Sequence, residues 1–295
     1  MSKKGKNIEW APELSEKEME FTQPEMMLKL VGTIDERGWP HLTIITSNQA
    51  FDKNEIVWGQ FSRGNSKKNV QNVNPKQGIF YMTIEMPFKC MRVKAKFTHT
   101  KKEGKALQHF NDSELLRYMT YMNVYKAYYN EVVAVSAIKK LSLLRLMSGI
   151  IKTLIAKGGV KTNREEEALN VIGYDLFTGV MNPKFLAYVD PRDGYPIIVP
   201  VIQLRAVDHN RLVFSPSLFK EELTLIPEGT RVAVIALNTD LASQVAKGTF
   251  RGYQRSRLMK VGIVDIEECY NSSPPLAGKY YPELEVREKV TDFHL

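Results

Sequence analysis

A cluster of hydroxyl, amide and cationic side chains follows one short apolar run and could hold a phosphate group. The run, residues 55–58, is β-branched and aromatic, which predicts a strand, and residues 67–73 predict a short helix that stops before Asn74-Pro75. Backbone N–H groups at a helix start bind phosphate, and Lys and Arg side chains add charge-assisted hydrogen bonds. Taken alone, the stretch is more typical of a solvated basic turn, so the sequence around it decides the interpretation.

The length and composition of the chain predict two globular domains. Its 295 residues are 43% hydrophobic and 25% charged, which is ordinary for a folded protein with a sizeable core. The formal net charge of +8 favours anionic ligands, nucleic acid or anionic lipid, without choosing among them.

The cysteine content and the apolar runs bear on location. Cys90 and Cys269 lie far apart, with no metal-type Cys or His spacing beside them. We therefore expect reduced thiols, no metal site and a cytoplasmic location. The start of the chain lacks the apolar segment of a secretory signal, and no apolar run is long enough to span a bilayer.

Short β-branched and aromatic runs predict six strands in the first half. They span residues 28–35, 41–47, 55–58, 78–84, 89–98 and 131–138. Gly38 supplies the backbone freedom that the turn between the first two strands needs. The fifth strand alternates apolar residues with Arg92, Lys94 and Lys96, which predicts one basic face.

Two further segments carry a helical pattern. Between residues 101 and 130, tyrosines recur at helical spacing, which favours packing over a cofactor role. Residues 141–156 have an apolar stripe made of Leu143, Leu144, Met147, Ile150, Ile151, Leu154 and Ile155. A basic amphipathic helix can lie on a membrane surface, but packing against a domain is the favoured interpretation, and membrane contact is not expected.

The strand pattern recurs in the second half, which predicts an internal repeat. The second set spans residues 185–190, 197–203, 211–214, 230–237, 243–251 and 260–267. The matched pairs are Pro40 with Pro196, Phe61 with Phe214, Lys94 with Lys247, Phe97 with Phe250 and Val133 with Val261. We therefore expect a mainly β chain of two tandem six-stranded antiparallel barrels with flanking helices, packed as a pseudo-dimer.

The predicted domain boundaries follow from this repeat. They are a flexible arm over 1–17, a first barrel over 18–140 with a helical insert at 101–130, a linker helix over 141–164, a second barrel over 165–268 and an extended tail over 269–295.

The order of elements resembles the pyridoxamine 5'-phosphate oxidase-like family, the FMN-binding split β-barrels. The matching positions are Gly38-Trp39-Pro40, residues 41–47, Gln60-Phe61-Ser62, Ser66-Lys67-Lys68-Asn69 and Asn74-Pro75. The resemblance covers about residues 25–138 and again about 180–268. It implies two split barrels and a flavin-dependent oxidoreductase, with FMN ahead of FAD, a deazaflavin or haem as the cofactor.

The resemblance also implies a cofactor-binding set. Its members are Thr46, Ser47, Gln60, Phe61, Ser62, Arg63, Ser66, Lys67, Lys68, Asn69 and Arg92. The hydroxyl and cationic residues between 62 and 68 would hold the phosphate, while Thr46 and Ser47 would border the ring or ribityl chain. Gln60 and Phe61 would contact the flavin, and Arg92 would reach the phosphate or the ring. No catalytic residue is assigned.

The second half departs from the pattern at the equivalent corner, residues 214–222. One lysine beside Glu221 and Glu222 makes a poor phosphate site. We therefore expect one flavin, bound by the first barrel and covered by the second or by a partner subunit. Thr43 and Asn48 stand near the places where the oxidase carries an Arg and a Lys, so pyridoxamine phosphate oxidation itself is not expected.

A non-catalytic flavin, deazaflavin or haem sensor on the same scaffold stays open as an alternative. Nucleic-acid binding is not expected, because aromatic residues do not interleave with Lys94 and Lys96. The small-molecule substrate and the electron donor are unassigned, and a homodimer stays open.

Overall fold

The computed structural model describes residues 9–24, 27–60, 65–72, 78–85, 89–113, 124–240, 242–272 and 278–283. The chain divides into two compact units, one with Met1–Lys140 and Asp190–Pro196 and the other with Leu141–Val189 and Ile197–Asp292. Each half forms one antiparallel sheet, so the expected mainly β fold with two tandem sheets is confirmed. The packing of the two units as a pseudo-dimer stays a prediction.

The first half contains nine strands and three helices among its described residues. In chain order they are β1 Trp10–Ala11, α1 Glu16–Thr22, β2 Leu28–Ile34, β3 Pro40–Ile44, β4 Gln49–Asp52, β5 Glu55–Gly59, α2 Asn65–Asn72, β6 Gly78–Glu85, β7 Lys89–Lys101, α3 Lys105–Asn111, β8 Ala127–Ser136 and β9 Lys139–Lys140. The sheet has the order β3-β2-β6-β7-β8-β5-β4, with β1 beside β8 and β9 beside β7.

The second half repeats this arrangement. Its elements are α4 Leu143–Lys157, α5 Val171–Thr178, β10 Lys184–Val189, β11 Pro196–Pro200, β12 Arg205–Asp208, β13 Arg211–Phe214, α6 Lys220–Leu223, β14 Arg231–Leu237, β15 Ser243–Ser256, β16 Met259–Asn271 and β17 Gly278–Tyr281. The sheet has the order β11-β10-β14-β15-β16-β13-β12, with β17 beside β16.

The chain connections require each sheet to curl into a split barrel. β3 and β4 lie at opposite ends of the strand order, yet only residues 45–48 join them. In a flat sheet, the strand-to-strand steps between them would separate the two edges by about 29 Å. The connection can span at most about 18 Å, so the sheet curls until its edges approach each other. We call the gap between β3 and β4 the seam; residues 201–204 cross the equivalent gap in the second sheet.

Aromatic packing fills the inside of the first barrel. The Trp58 and Tyr128 rings stack at 3.9 Å between centroids, and the Trp58 indole N–H donates to the Tyr81 hydroxyl at 3.1 Å. Val31 and Val93 belong to the same buried cluster. These residues come from five different strands, so the core fixes the relative register of the strands around the barrel.

The two sheets share their irregularities as well as their strand order. β7 and β8 shift register between Lys94 and Ala95, and β15 and β16 shift between Lys247 and Gly248. A second shift follows Phe97 in the first sheet and Phe250 in the second. The predicted matches of Lys94 with Lys247 and Phe97 with Phe250 are therefore confirmed.

Two of the predicted matches are wrong. The β4–β5 pairing shifts register just before Asp52, and the β12–β13 pairing shifts register just before Asp208. Aligning these two shifts makes Trp58 the counterpart of Phe214. Phe61, the predicted partner of Phe214, lies outside the described residues. Val133 does not match Val261, because the bulge after Lys94 faces Ala134 and the bulge after Lys247 faces Glu268. Sequence pairing alone misplaced the last strand because the insert before it differs in length.

The predicted six strands become seven on each main path. The additional strands β4 and β12 follow directly after the seam connection, where no strand was predicted. The described part of the predicted arm over 1–17 is also ordered, since Trp10 and Ala11 pair with Ser136 and Val135. Trp10 further packs edge-on against the Phe80 ring.

The predicted tail over 269–295 needs a similar correction. β16 extends to Asn271, and residues 278–281 add β17 to its edge. The insert over 101–130 is helical only in part: β7 continues to Lys101, α3 spans Lys105–Asn111, and β8 begins at Ala127. None of the helices in the described ranges is both long enough and apolar enough to cross a membrane.

Helix α4 packs with a different face from the one that the sequence suggested. Its buried residues are Leu146, Gly149, Ile150, Thr153 and Ala156. Of the predicted apolar stripe only Ile150 is buried, and the other six members are exposed. The reason is that small residues, Gly149 and Ala156, let the helix approach the strands more closely than the large aliphatic residues would.

Candidate functional site

The first turn of α2 is anchored to the strands beside the seam. Ser66, which is 3% exposed, donates through its hydroxyl to Thr43 Oγ1 at 2.6 Å. One turn further, Asn69 Nδ2 donates to Thr33 Oγ1 at 2.9 Å, and Val70 enters the core cluster. Residues spaced three and four apart share one face of a helix, so this spacing places α2 against β2 and β3.

The anchored face of α2 leaves its two lysines on the outside. Lys67 is partly exposed and Lys68 is exposed. Lys67 Nζ donates to the Tyr125 hydroxyl at 3.1 Å and also lies over the Tyr125 ring, 5.7 Å from its centroid. The predicted cationic residues of the helix therefore stand at the surface of the first unit, beside an aromatic ring that is 46% exposed.

The seam connection contributes a second pair of hydroxyls. Ser47 Oγ accepts from the Gly59 backbone N–H at 3.1 Å and donates to the Gly59 carbonyl at 3.2 Å. Thr46, the preceding residue, is exposed. Ser47 thus closes the end of β5 against the connection, and Thr46 is the hydroxyl of this pair that a ligand can reach.

Gln60 is buried rather than open to a ligand. Its side-chain N–H donates to the Tyr125 hydroxyl, and its carbonyl oxygen accepts from the Tyr128 hydroxyl at 3.0 Å. Burial, with Tyr125 nearby, raises the pKa of Tyr128, so this phenol keeps its proton and remains a donor. A series of hydrogen bonds therefore connects the barrel core to the cationic surface, from Tyr128 through Gln60 and Tyr125 to Lys67.

Arg92 does not join this group. It lies on β7 and pairs with Met82, whereas Thr43 shares a cross-strand row with Val31, Tyr81 and Val93. Successive side chains of a strand point to opposite faces, so Arg92 and Thr43 are on opposite faces of the sheet. The expected approach of Arg92 to the phosphate or the ring therefore stays a prediction, and Arg92 lies on the face of the sheet opposite to Thr43.

Sequence reasoning missed Tyr125 and Thr43 as members of the group. The pairing of Gly59 with Ala127 brings residue 125 beside Gln60, but the predicted sixth strand began only at residue 131. Phe61, Ser62 and Arg63, also predicted for the cofactor, lie outside the described residues.

The chemistry of the described group suits an anion with a flat apolar extension. Lys67, Lys68 and Thr46 offer ammonium and hydroxyl donors and no carboxylate, which is the donor set that a phosphate dianion needs. The exposed Tyr125 ring offers a surface on which an aromatic ring can stack. A phosphate-bearing flavin therefore fits the residues present. No cluster of His, Cys, Asp and Glu suited to a metal occurs in the ranges that the structure describes.

The equivalent corner of the second unit is covered by helix α4. The Ser215 backbone N–H donates to Thr153 Oγ1 at 2.9 Å, and Gln203 Nε2 donates to the Ser215 carbonyl at 2.8 Å. Gly149 packs so closely on Gln203 and Ser217 that an added Cβ would lie 3.2–3.4 Å from them. Helix α4 thus packs on Gln203 and Ser215, which are the counterparts of Ser47 and Gly59 by the strand registers of the two sheets.

Comparisons with known proteins gave structural likenesses only. No protein-family model matches the chain, and no curated protein matches its sequence. A solved FMN-binding protein from Syntrophomonas wolfei has 10% identity and a TM-score of 0.34, covering 40% of this chain and 80% of its own. HupZ from Group A Streptococcus has 14% identity and a TM-score of 0.34, covering 43% and 98%.

A solved structure described as an F420 reductase has 12% identity and a TM-score of 0.32, covering 42% of this chain and 98% of its own. Because the TM-scores of these three structures are below 0.5, the likenesses assign no function to this chain, and its fold rests on its own strand order.

Proposed function

We propose that the first unit binds FMN at the corner formed by α2 and the seam, and that the protein is a flavin-dependent oxidoreductase. The observation that carries the proposal is the hydrogen bond of Ser66 to Thr43, which sets α2 against β3, with Lys67 beside the Tyr125 ring at the surface. Thr46 adds an exposed hydroxyl on the connection that follows β3. Lys67 and Lys68 hold the phosphate, and the buried Ser66 anchors the first turn of α2 to Thr43. When bound, FMN supplies the hydride and electron chemistry.

The other residues of the group position those that touch the cofactor. Asn69 fixes the rotation of α2 through Thr33, and Ser47 fixes the seam connection that carries Thr46. Gln60 holds the Tyr125 hydroxyl from the barrel side, so the Tyr125 ring stays at the edge of the site. The chain thus contributes binding and orientation, which is what a flavin protein requires of its scaffold.

We infer further that one flavin binds per chain. The shared strand order and the shared bulges support an origin of the two halves by duplication of one barrel. In the second copy, α4 fills the equivalent corner through Thr153 and Gly149. The second copy then serves as scaffold instead of a second site. Cys90 and Cys269 are both free, buried thiols. The cytoplasmic location stays a prediction.

A comparison of FMN with riboflavin tests the phosphate site, because the two ligands differ only in the phosphate. We expect wild-type protein to bind FMN with one site per chain, measured by quenching of flavin fluorescence. Lys67→Gln removes a charge-assisted hydrogen bond and should weaken FMN binding by about tenfold or more. Riboflavin binding should change little. Lys220→Gln, at the covered corner, is the matched control and should bind FMN like the wild type.

Three results would contradict the proposal: no flavin binding, equal weakening of FMN and riboflavin by Lys67→Gln, or two FMN molecules per chain. Reduction of the bound flavin by a nicotinamide donor, followed at its visible absorbance, separates the enzyme from a flavin-binding sensor. A bound flavin that no nicotinamide donor reduces would favour the sensor.

A further inference from the structure

Helix α4 presents a wide apolar face to the outside of the second unit. Six aliphatic residues form this face, and Leu144 at 85% and Ile151 at 54% are representative of their exposure. The outer face comprises Leu143, Leu144, Met147, Ile151, Leu154 and Ile155. The face runs from residue 143 to residue 155 of this helix, so it extends for about 18 Å. Contiguous exposed apolar patches of this kind on soluble proteins mark interaction sites.

The residues that border the outer face carry one sign of charge. Arg145 and Lys152 lie between the outer face and the buried face, as their helical spacing requires. From residue 141 to residue 164 the sequence contains Arg145, Lys152, Lys157, Lys161 and Arg164 and not a single Asp or Glu. The Arg257 guanidinium also lies against Gly158 at the end of the helix. The partner of this face must therefore accept aliphatic side chains and cations together.

A second copy of the chain does not suit these requirements. A two-fold contact is self-complementary, so the same residues meet on both sides. Pairing two outer faces would bury the aliphatic residues of both copies but would offer no anionic group to Arg145 and Lys152 of either copy. The outer face also has no aromatic or hydrogen-bonding residue of the kind that gives specificity to a protein interface.

We propose that the outer face of α4 docks the protein on an anionic lipid bilayer, with the helix lying in the plane of the membrane surface. The aliphatic residues enter the boundary between headgroups and acyl chains, and Arg145, Lys152 and Lys157 remain at the level of the anionic headgroups. The buried face of the helix stays packed on β12, β13 and β16, so docking needs no unfolding. This proposal does not depend on flavin binding.

Co-sedimentation of the full chain with vesicles tests the proposal. We expect binding to vesicles of phosphatidylcholine and phosphatidylglycerol in equal parts, weaker binding as salt is raised, and little binding to pure phosphatidylcholine. The double variant Leu144→Gln/Ile151→Gln should weaken binding by about tenfold or more, because both residues lose contact with the apolar phase. The double variant Arg145→Gln/Lys152→Gln should weaken it through loss of charge.

Two control variants carry the same types of change outside α4. Leu225→Gln alters an exposed leucine, and Arg255→Gln alters an exposed arginine, both in the second unit. They should bind vesicles like the wild type. Because all the altered side chains are exposed, circular dichroism should show that every variant folds.

Four results would overturn the proposal. They are failure of the wild type to bind anionic vesicles, equal binding by the α4 variants, equal loss in the control variants, and a dimer in analytical ultracentrifugation that the α4 variants abolish. The last result would assign the outer face to a second copy of the chain.

Discussion

Two buried cations in the second unit, Lys184 and Arg205, are held by backbone carbonyls. Lys184 Nζ donates to the carbonyls of Gly179 at 2.6 Å and Asn182 at 3.0 Å. The Arg205 guanidinium donates to carbonyls on the seam connection and at Val180. Burial and the charge of Arg205 lower the pKa of Lys184 to about 6, and burial lowers the pKa of Arg205 to about 10.

The lowered pKa of Lys184 predicts a pH dependence of stability. In the unfolded chain a lysine has its ordinary pKa of about 10.4, so between pH 6 and that value the unfolded state binds one more proton. The free energy of unfolding should therefore rise with pH in this window, by up to about 1.4 kcal/mol per pH unit. In Lys184→Met the unfolding free energy should no longer show this rise with pH. Urea unfolding at several pH values measures the effect.

The control for Lys184→Met is Lys220→Met at an exposed lysine. The unfolding free energy of Lys184→Met minus that of the wild type should fall as the pH rises. The corresponding value for Lys220→Met should stay constant. A difference that is independent of pH in both variants would show that Lys184 has an ordinary pKa.

At the residue scale, Ser66, Lys67 and Asn69 were implied for the cofactor by the family resemblance, and that role stays a prediction. The structure places Ser66 and Asn69 on one face of α2, as their three-residue spacing requires. Tyr125 was missed because its place depends on the pairing of β5 with β8 across the insert. Arg92 was placed correctly on the basic face of β7, but alternation alone does not say which face meets α2.

At the scale of elements, α4 illustrates the limits of an amphipathic pattern. The largest aliphatic residues suggested the packed face, but the packed face is built around Gly149, Thr153 and Ala156, with Leu146 and Ile150. Thr153 is fully buried and accepts from the Ser215 backbone N–H. Small and hydroxylated residues were therefore the informative ones, because close approach and hydrogen bonding decide how this helix sits.

The Thr153 hydrogen bond should be essential for this packing. Thr153→Val keeps the shape of the side chain but leaves the buried Ser215 N–H without its acceptor, which should lower the unfolding free energy by about 1–3 kcal/mol. Urea unfolding at fixed pH measures the change. Thr178→Val is the matched control, because the Thr178 hydroxyl only donates to carbonyls of its own helix. Equal effects of both substitutions would refute the role of Thr153.

At the scale of the whole molecule, the likeness of the two halves rests on their shared strand order more than on their sequences. The fold class could be predicted because six strands were expected in each half and because their order along the chain resembles a known family, whereas the strand order within each sheet is seen only in the structure. The seam strands β4 and β12 could not be predicted, because their pairing depends on the curl of the entire sheet. The repeat nevertheless uses different residues at the seam: Ser47 in the first half and Gln203 in the second.

The two seam residues should differ in their contribution to stability. Ser47→Ala leaves the buried Gly59 N–H without its acceptor and should lower the unfolding free energy by about 1–3 kcal/mol. Gln203→Leu should lower the unfolding free energy by less than Ser47→Ala does. Gln203 donates one hydrogen bond to the Ser215 carbonyl, and its own Oε1 is buried with no hydrogen-bond partner. Leucine therefore removes an unfavourable buried polar atom. Urea unfolding of both variants measures the difference. A larger loss in Gln203→Leu would mean that the side-chain volume of residue 203, and not its hydrogen bond, holds the second seam closed.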